Sequence, residues 1–308
     1  MSIKQVLQQH ILAAITLSDR MCATTDLSDS TLITLETIPV HLLSEDAGIL
    51  YQSAIALKLS PLWHLPALNI ANQLTDSLAT TCQDTANSIR LDFGVEVVFP
   101  GWIQFRLSDS GLATWLQYLI QIPPSGILEE KGRKITLENA EISQPKQPIK
   151  GLNNAKNLFL IQYAHARCCS LLRLAHRQGA IALSDPECKR ATWQIVQPSP
   201  IPWLYDSQAI ESTQTRLRLG HSAEHRLIAQ ILDAQDRSQH LDPAGAIKLA
   251  IALSHAFEAF YSRCRIWGEV MTQTPQLAQA RLGLVAVTQQ VLRSLLQDQL
   301  GITPALEL

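Results

Sequence analysis

The segment from Phe159 to Arg177 constrains the chain most. Stepped at about 100° per residue, Ile161, Ala164, Cys168, Leu172 and Ala175 fall on one side of a helix and form an apolar stripe. Tyr163, Arg167, Ser170 and Arg177 fall on the other side. A helix with that division must bury one face against a bundle. Its other face offers an aromatic ring and guanidinium groups, a set that suits a planar, anionic partner. An ordinary amphipathic helix with a solvated basic face has the same periodicity, so the pattern alone leaves both readings open. Charge sharpens the question. Between Gln144 and Ser184 lie Lys146, Lys150, Lys156, Arg167, Arg173 and Arg177, with no Asp or Glu, whereas the whole chain carries a net charge of −2. Any nucleic-acid contact is therefore local rather than a property of the whole surface.

The wording of this helix is more specific than its period. Gln162-Tyr163-Ala164-His165-Ala166-Arg167 resembles the "QYAHAR" helix that opens the DALR-type anticodon-binding domain of arginyl-tRNA synthetases. Two further motifs follow in the family's order. Ala256-Phe257-Glu258-Ala259-Phe260-Tyr261-Ser262-Arg263-Cys264-Arg265-Ile266 is similar to its "AFxxFYxxC" helix. Ala280-Arg281-Leu282-Gly283-Leu284-Val285, Gln290-Val291-Leu292 and Leu300-Gly301-Ile302 resemble its last helix and tail. The resemblance implies an all-α bundle over 155–308 in which Tyr163, Arg167, Tyr261 and the terminal Leu308 surround an anticodon base, with Arg173 and Arg177 in the basic patch. Leu308 stands where the family tail commonly ends in methionine, and Gln289 where a basic residue is usual.

The first half carries a weaker likeness to the extra N-terminal domain of the same enzymes. It rests on Ala54-Ile55-Ala56-Leu57-Lys58-Leu59, on Pro66 followed by Ile70-Ala71-Asn72-Gln73-Leu74, and on Gly101-Trp102-Ile103-Gln104-Phe105-Arg106-Leu107-Ser108. It departs from the family where Ile49-Leu50 replace Asp-Tyr after Gly48. The likeness implies a small α+β domain over 1–121 in which Trp102 and Gln104 hold a base of the tRNA D-loop. A buried Trp102 beside a solvent-facing Gln104 is the plain alternative. Ile103, Phe105 and Leu107 alternate with Gln104 and Arg106, so a half-buried strand is expected there, with Pro100-Gly101 turning back to a strand near 93–99. Thr31 to Leu35 alternates like another strand. Ala47–Leu59, Pro66–Leu78, Pro243–Tyr261 and Gln276–Leu300 read as helices, with Ser2 capping an earlier one over 2–16.

Residues 122–154, with Pro123-Pro124-Ser125-Gly126 and then a charged run, read as a linker. In a complete synthetase the catalytic domain, with its HIGH and KMSKS signatures, stands at this place. Neither signature occurs in the chain. The resemblance therefore implies a non-catalytic tRNA-binding protein, with arginine-type tRNA as partner, no DNA, and a tRNA-modifying or regulatory protein as a further partner. A protein–protein module on the same scaffold is the alternative, favoured by the low net charge, Leu308, Gln289, and by Trp193 and Trp203 read as exposed. His221-Ser222-Ala223-Glu224-His225 has the order of a metallopeptidase motif, but no third ligand accompanies it, so neither metal nor other cofactor is expected. His165 is expected to be a hydrogen-bonded structural histidine. Six cysteines without a CxxC pair read as reduced thiols of a cytoplasmic protein. The expected chain has neither a secretory signal nor a membrane span.

Overall fold

A computed structural model describes residues 2–22, 33–45, 48–81, 91–122, 155–185, 193–205, 215–238 and 241–308. Most of the expected linker, with Lys146 and Lys150, lies outside them, as do Thr31 and Leu32. The architecture is mainly helical, with a small sheet in the N-terminal region and helices through the C-terminal region. The fold divides into two units. One holds Met1–Trp115 with Asp206–Leu217, the other Leu116–Tyr205 with Arg218–Leu308.

In the first unit, α1 (Ile3–Cys22) starts from a capping box. Ser2 Oγ accepts from the Gln5 amide at 3.2 Å, and Gln5 Oε1 accepts from the Ser2 amide at 2.9 Å. Its apolar stripe, from Ile3 through Val6, Leu7 and Ile11 to Ile15, is buried. The sheet comprises β1 (Val40–Glu45), β2 (Gly48–Ser53), β3 (Phe93–Val98) and β4 (Trp102–Leu107), in the order β1-β2-β4-β3 and antiparallel throughout. Two helices follow β2: α2 (Ile55–Trp63) and α3 (Ala67–Thr81).

Two expectations are corrected here. Residues 48–53 form an interior strand, not the start of a helix reaching to Leu59. β2 is paired on both edges, and Ile49, Leu50 and Tyr51, which alternate between its two faces, are all buried. A short apolar run does not distinguish a buried strand from a helix by period, and here pairing with β1 and β4 on either side decides the outcome. The alternation at 31–35 is not a strand in its described part, since Leu35–Thr37 form a 3₁₀ turn closed by Thr37 Oγ1 on the Thr34 carbonyl at 2.9 Å. The β3–β4 hairpin and its Pro100-Gly101 turn are as expected. Gly101 sits at φ 144°, and a Cβ there would come within 2.9 Å of Ala67.

Helix α4 (Asp109–Gln121) runs from the first unit into the second, with Ser108 Oγ accepting from the Gly111 amide at 3.0 Å. The second unit holds α5 (Ala155–Arg177), a short hairpin of β5 (Ala182–Leu183) and β6 (Ile195–Gln197), then α6 (Ser222–Arg237), α7 (Pro243–Arg263), α8 (Glu269–Gln273) and α9 (Pro275–Ser294). Helix α9 is the core element. Leu282 through Gln289 are all buried, and so are Val291 to Arg293. One π turn, Leu295–Gln299, extends it, and Gly301 at φ 64° ends it. Both proline starts, Pro243 and Pro275, stand where the sequence places them.

Candidate nucleic-acid interface

Helix α5 packs on α7 and α9 through the stripe the sequence assigns to it. Ile161, Ala164, Cys168, Leu172 and Ala175 are all buried. On the opposite side Tyr163 is 41% exposed, Arg177 is exposed, and Arg167 and Ser170 are half-buried. Phe159, one turn before Tyr163, is 60% exposed and its ring lies 6.1 Å from the Tyr163 ring at an interplanar angle of 20°. The sequence reading passed over Phe159, although its i,i+4 spacing from Tyr163 was visible.

Arg167 leans from α5 onto α7. Its guanidinium lies 4.8 Å from the centroid of the Tyr261 ring, and Nη2 donates to the Tyr261 hydroxyl. Tyr261 is 37% exposed and stacks on Phe257 at 6.2 Å. Exposed aromatic rings and one half-buried cation thus lie along the α5 and α7 surface, and Tyr163, Arg167 and Tyr261 belong to it.

The last residues run along α5 in the same direction as the helix. Gln162 Nε2 donates to the Thr303 carbonyl at 3.0 Å, and its Oε1 accepts from the Ala305 amide at 2.6 Å. His165 Nδ1 meets the Ala305 carbonyl at 2.7 Å, and its Nε2 lies 3.0 Å from Gln289 Nε2. The pair of contacts fixes the tautomer: Nδ1–H donates to Ala305, and Nε2 accepts from the Gln289 amide. Arg173 Nη2 donates to the Leu306 carbonyl at 2.8 Å, and Nη1 pairs with Glu307 at 2.8 Å. Arg173 therefore holds the tail, a use the sequence did not suggest. Leu308 is 70% exposed at the end of that tail.

Burial, opposed by the Ala305 bond and aided by the nearby Arg293 charge, lowers the His165 pKa to about 4. The ring is neutral and structural at neutral pH. Burial likewise raises the Cys169 thiol to about 12 and the Cys264 thiol to about 11, and Cys168 well above its ordinary value. Protonated, buried thiols are not nucleophiles.

His221, Glu224 and His225 form a helix cap. His221 Nδ1 accepts from the Ala223 amide at 3.0 Å, Glu224 Oε2 accepts from the His221 amide at 2.8 Å, and His225 Nε2 bonds the Leu219 carbonyl at 2.8 Å. The other Glu224 oxygen pairs with Arg281 Nε at 2.6 Å, which ties α6 to α9. Trp193 and Trp203 require a correction, because both are buried rather than exposed. The Trp203 indole donates to Gln117 Oε1 at 3.1 Å, and the Arg173 guanidinium lies 5.8 Å from the Trp193 ring. Indoles in proline-rich stretches read as surface, but these two cover the bundle core.

In the first unit, Trp102 and Gln104 are half-buried on one face of β4, while Ile103, Phe105 and Leu107 are buried on the other.

Residues 205–308 match the family model of the DALR anticodon binding domain. That match includes α7, α9 and the tail; α5 precedes it. The chain is 32% identical over 150 residues to the arginine–tRNA ligase of Moorella thermoacetica, covering 47% of this chain and 21% of that protein. It is 34% identical over 148 residues to the arginine–tRNA ligase of Gloeobacter violaceus, covering 48% and 22%. It is 32% identical over 143 residues to that of a Synechococcus species, covering 46% and 21%. The chain thus spans about a fifth of the length of the curated relatives it matches. No solved structure matches it. No described helix is long and apolar enough to cross a membrane.

Proposed function

We propose that this arginyl-tRNA synthetase-like chain, with its DALR anticodon-binding domain over 205–308, is a non-catalytic tRNA-binding protein that presents tRNA to a modifying or regulatory partner. In this reading residues 1–121 meet the D-loop corner and 155–308 the anticodon arm. The linker 122–154 stands in place of a catalytic domain. The observation that carries the reading is the exposed Tyr163 ring beside the Arg167–Tyr261 contact. An unpaired base stacked on such a ring gains about 1–3 kcal/mol, and a fixed guanidinium adds charge at its edge. Leu308, at the end of a tail held against the same helix, supplies an apolar contact. The relatives' name favours an arginine-type tRNA.

A gel-shift with unfractionated tRNA over a salt series tests this. The wild-type chain should bind, and the Tyr163→Ala, Arg167→Ala double variant should bind about thirtyfold or more weakly. Equal binding by both would overturn the placement. Arginine-dependent pyrophosphate exchange by the purified chain would overturn the non-catalytic assignment. The alternative, a protein-binding module that has lost RNA, rested partly on exposed indoles. With Trp193 and Trp203 buried, the low net charge, Gln289 and the exposed Leu308 still favour it, and the exposed Phe159 joins them.

A further inference from the structure

The last turn of α5, the β5–β6 hairpin and the first turns of α9 surround an open pocket of about 550 Å³. All of its lining lies in the second unit, and only Gln279 falls within the residues matched to the anticodon-binding family. His176, on its wall, comes thirteen residues after Tyr163 on α5, about 20 Å further by helical rise. The pocket is therefore distinct from the aromatic surface described above.

Two lining side chains have only half of their hydrogen-bonding capacity in use. The Leu183 amide donates to His176 Nδ1 at 3.3 Å, so the neutral ring carries its proton on Nε2. Gln279 Nε2 donates to the Ala180 carbonyl at 3.1 Å, which fixes the amide and leaves Oε1 as an acceptor. Neither His176 Nε2 nor Gln279 Oε1 has a protein partner among the described residues. Gln197, exposed on β6, adds an amide that both donates and accepts. The remaining walls are apolar or bare. Ile181 is buried, Ala182 and Pro198 are half-buried, and a Cβ added at Gly179 would meet nothing within 4 Å. No described lining side chain is a carboxylate, an ammonium or a guanidinium.

This combination selects a class of ligand. A phosphate or carboxylate placed here would lose water without gaining a countercharge, so the inserted group is neutral. A donor and an acceptor beside apolar walls suit a flat ring with its own acceptor and donor on one edge. A nucleobase has that form, and its faces can lie on the Pro198 ring and the bare Gly179 peptide. A volume of this order accommodates a nucleoside.

We propose that this pocket binds a single nucleobase, with His176 donating to its edge, Gln279 accepting from it and Gln197 closing over it. The proposal does not depend on the tRNA reading. The base belongs either to a free nucleoside or to an RNA strand, and the test separates the two sources.

Calorimetric titration of the full chain with adenosine, guanosine, cytidine and uridine should show saturable binding of at least one. Its 5′-monophosphate should bind no more tightly, its affinity should be the same at low and high salt, and ribose 5-phosphate should not bind. Gln279→Leu, which keeps the size and loses the acceptor, should weaken the nucleoside about tenfold. Ala182→Leu, which fills the pocket, should abolish binding. Should either variant fail to fold, Gln197→Ala, whose side chain makes no hydrogen bond among the described residues, reads the loss instead. If Ala182→Leu loses the nucleoside and also weakens tRNA, the base comes from RNA. If it loses the nucleoside and leaves tRNA binding unchanged, the pocket serves free nucleosides. The site is overturned if no nucleoside binds, if ribose 5-phosphate binds as well as the nucleoside, or if these variants bind like wild type. Each of those results stands apart from whether the chain binds tRNA.

Discussion

Two residues on α5 yield predictions at the scale of single side chains. His165 has its pKa lowered to about 4 from an ordinary 6.5, mainly by burial. A depressed folded-state value means that the unfolded chain takes up the proton first. The stability contribution is thus complete above pH 6.5 and is lost as pH falls towards 4, up to about 3 kcal/mol. His10, lowered by its own burial, acts in the same sense, so the measurement compares variants. Urea midpoints at pH 7.5 and 4.5 should differ less in His165→Gln than in wild type. The second residue is Arg173, whose guanidinium is held by Glu307. Glu307→Gln should remove its countercharge while the Leu306 carbonyl still holds it, and the salt slope of tRNA binding should steepen by about 0.7–0.9. At this scale the sequence was informative wherever the helical period decided the outcome. The exposure of Tyr163 and Arg177 and the burial of Ala164 and Cys168 follow from 100° steps. The engagement of Arg173 with Leu306 and Glu307 does not, because a contact across 133 residues leaves no periodic trace.

Elements were legible when their boundaries carried chemical signals. Pro243 and Pro275 mark two helix starts, and Pro100-Gly101 marks a hairpin. Strand β2 was not legible, because Gly48 to Ser53 has no period and its identity depends on neighbours that pair from both sides. Packing between elements was equally hidden. Gly283 lies inside α9, and a Cβ there would come within 2.6 Å of the Trp203 ring. Gly283→Ala should therefore lower stability by about 1–3 kcal/mol despite its better helix propensity, as thermal unfolding would show. Glu224, fully buried, is paired with Arg281 between α6 and α9. Arg281→Ala leaves a buried carboxylate without its cation and should cost about 3–5 kcal/mol by the same measurement.

At the scale of the whole molecule, a chain with net charge −2 cannot hold RNA by bulk attraction. Arg173 is paired with Glu307 of the tail, so one cation fewer remains on α5 for phosphate. Three neutralised phosphates correspond to about a twenty- to fortyfold loss of affinity between 50 and 200 mM salt. We expect a loss of that order, read by filter binding, rather than the steeper loss of a strongly basic protein. A steeper loss would point to cations beyond those assigned.

The grip of α5 on the tail has a consequence for how such a surface can change. Gln162, His165 and Arg173 take hold of Thr303, Ala305 and Leu306 by peptide oxygens and one peptide N–H. A clasp closed on main chain is indifferent to what each clasped residue displays outward. Substitutions at 303, 305 and 306 can therefore alter what a visiting loop meets without loosening the clasp, and selectivity can drift while the scaffold stays put.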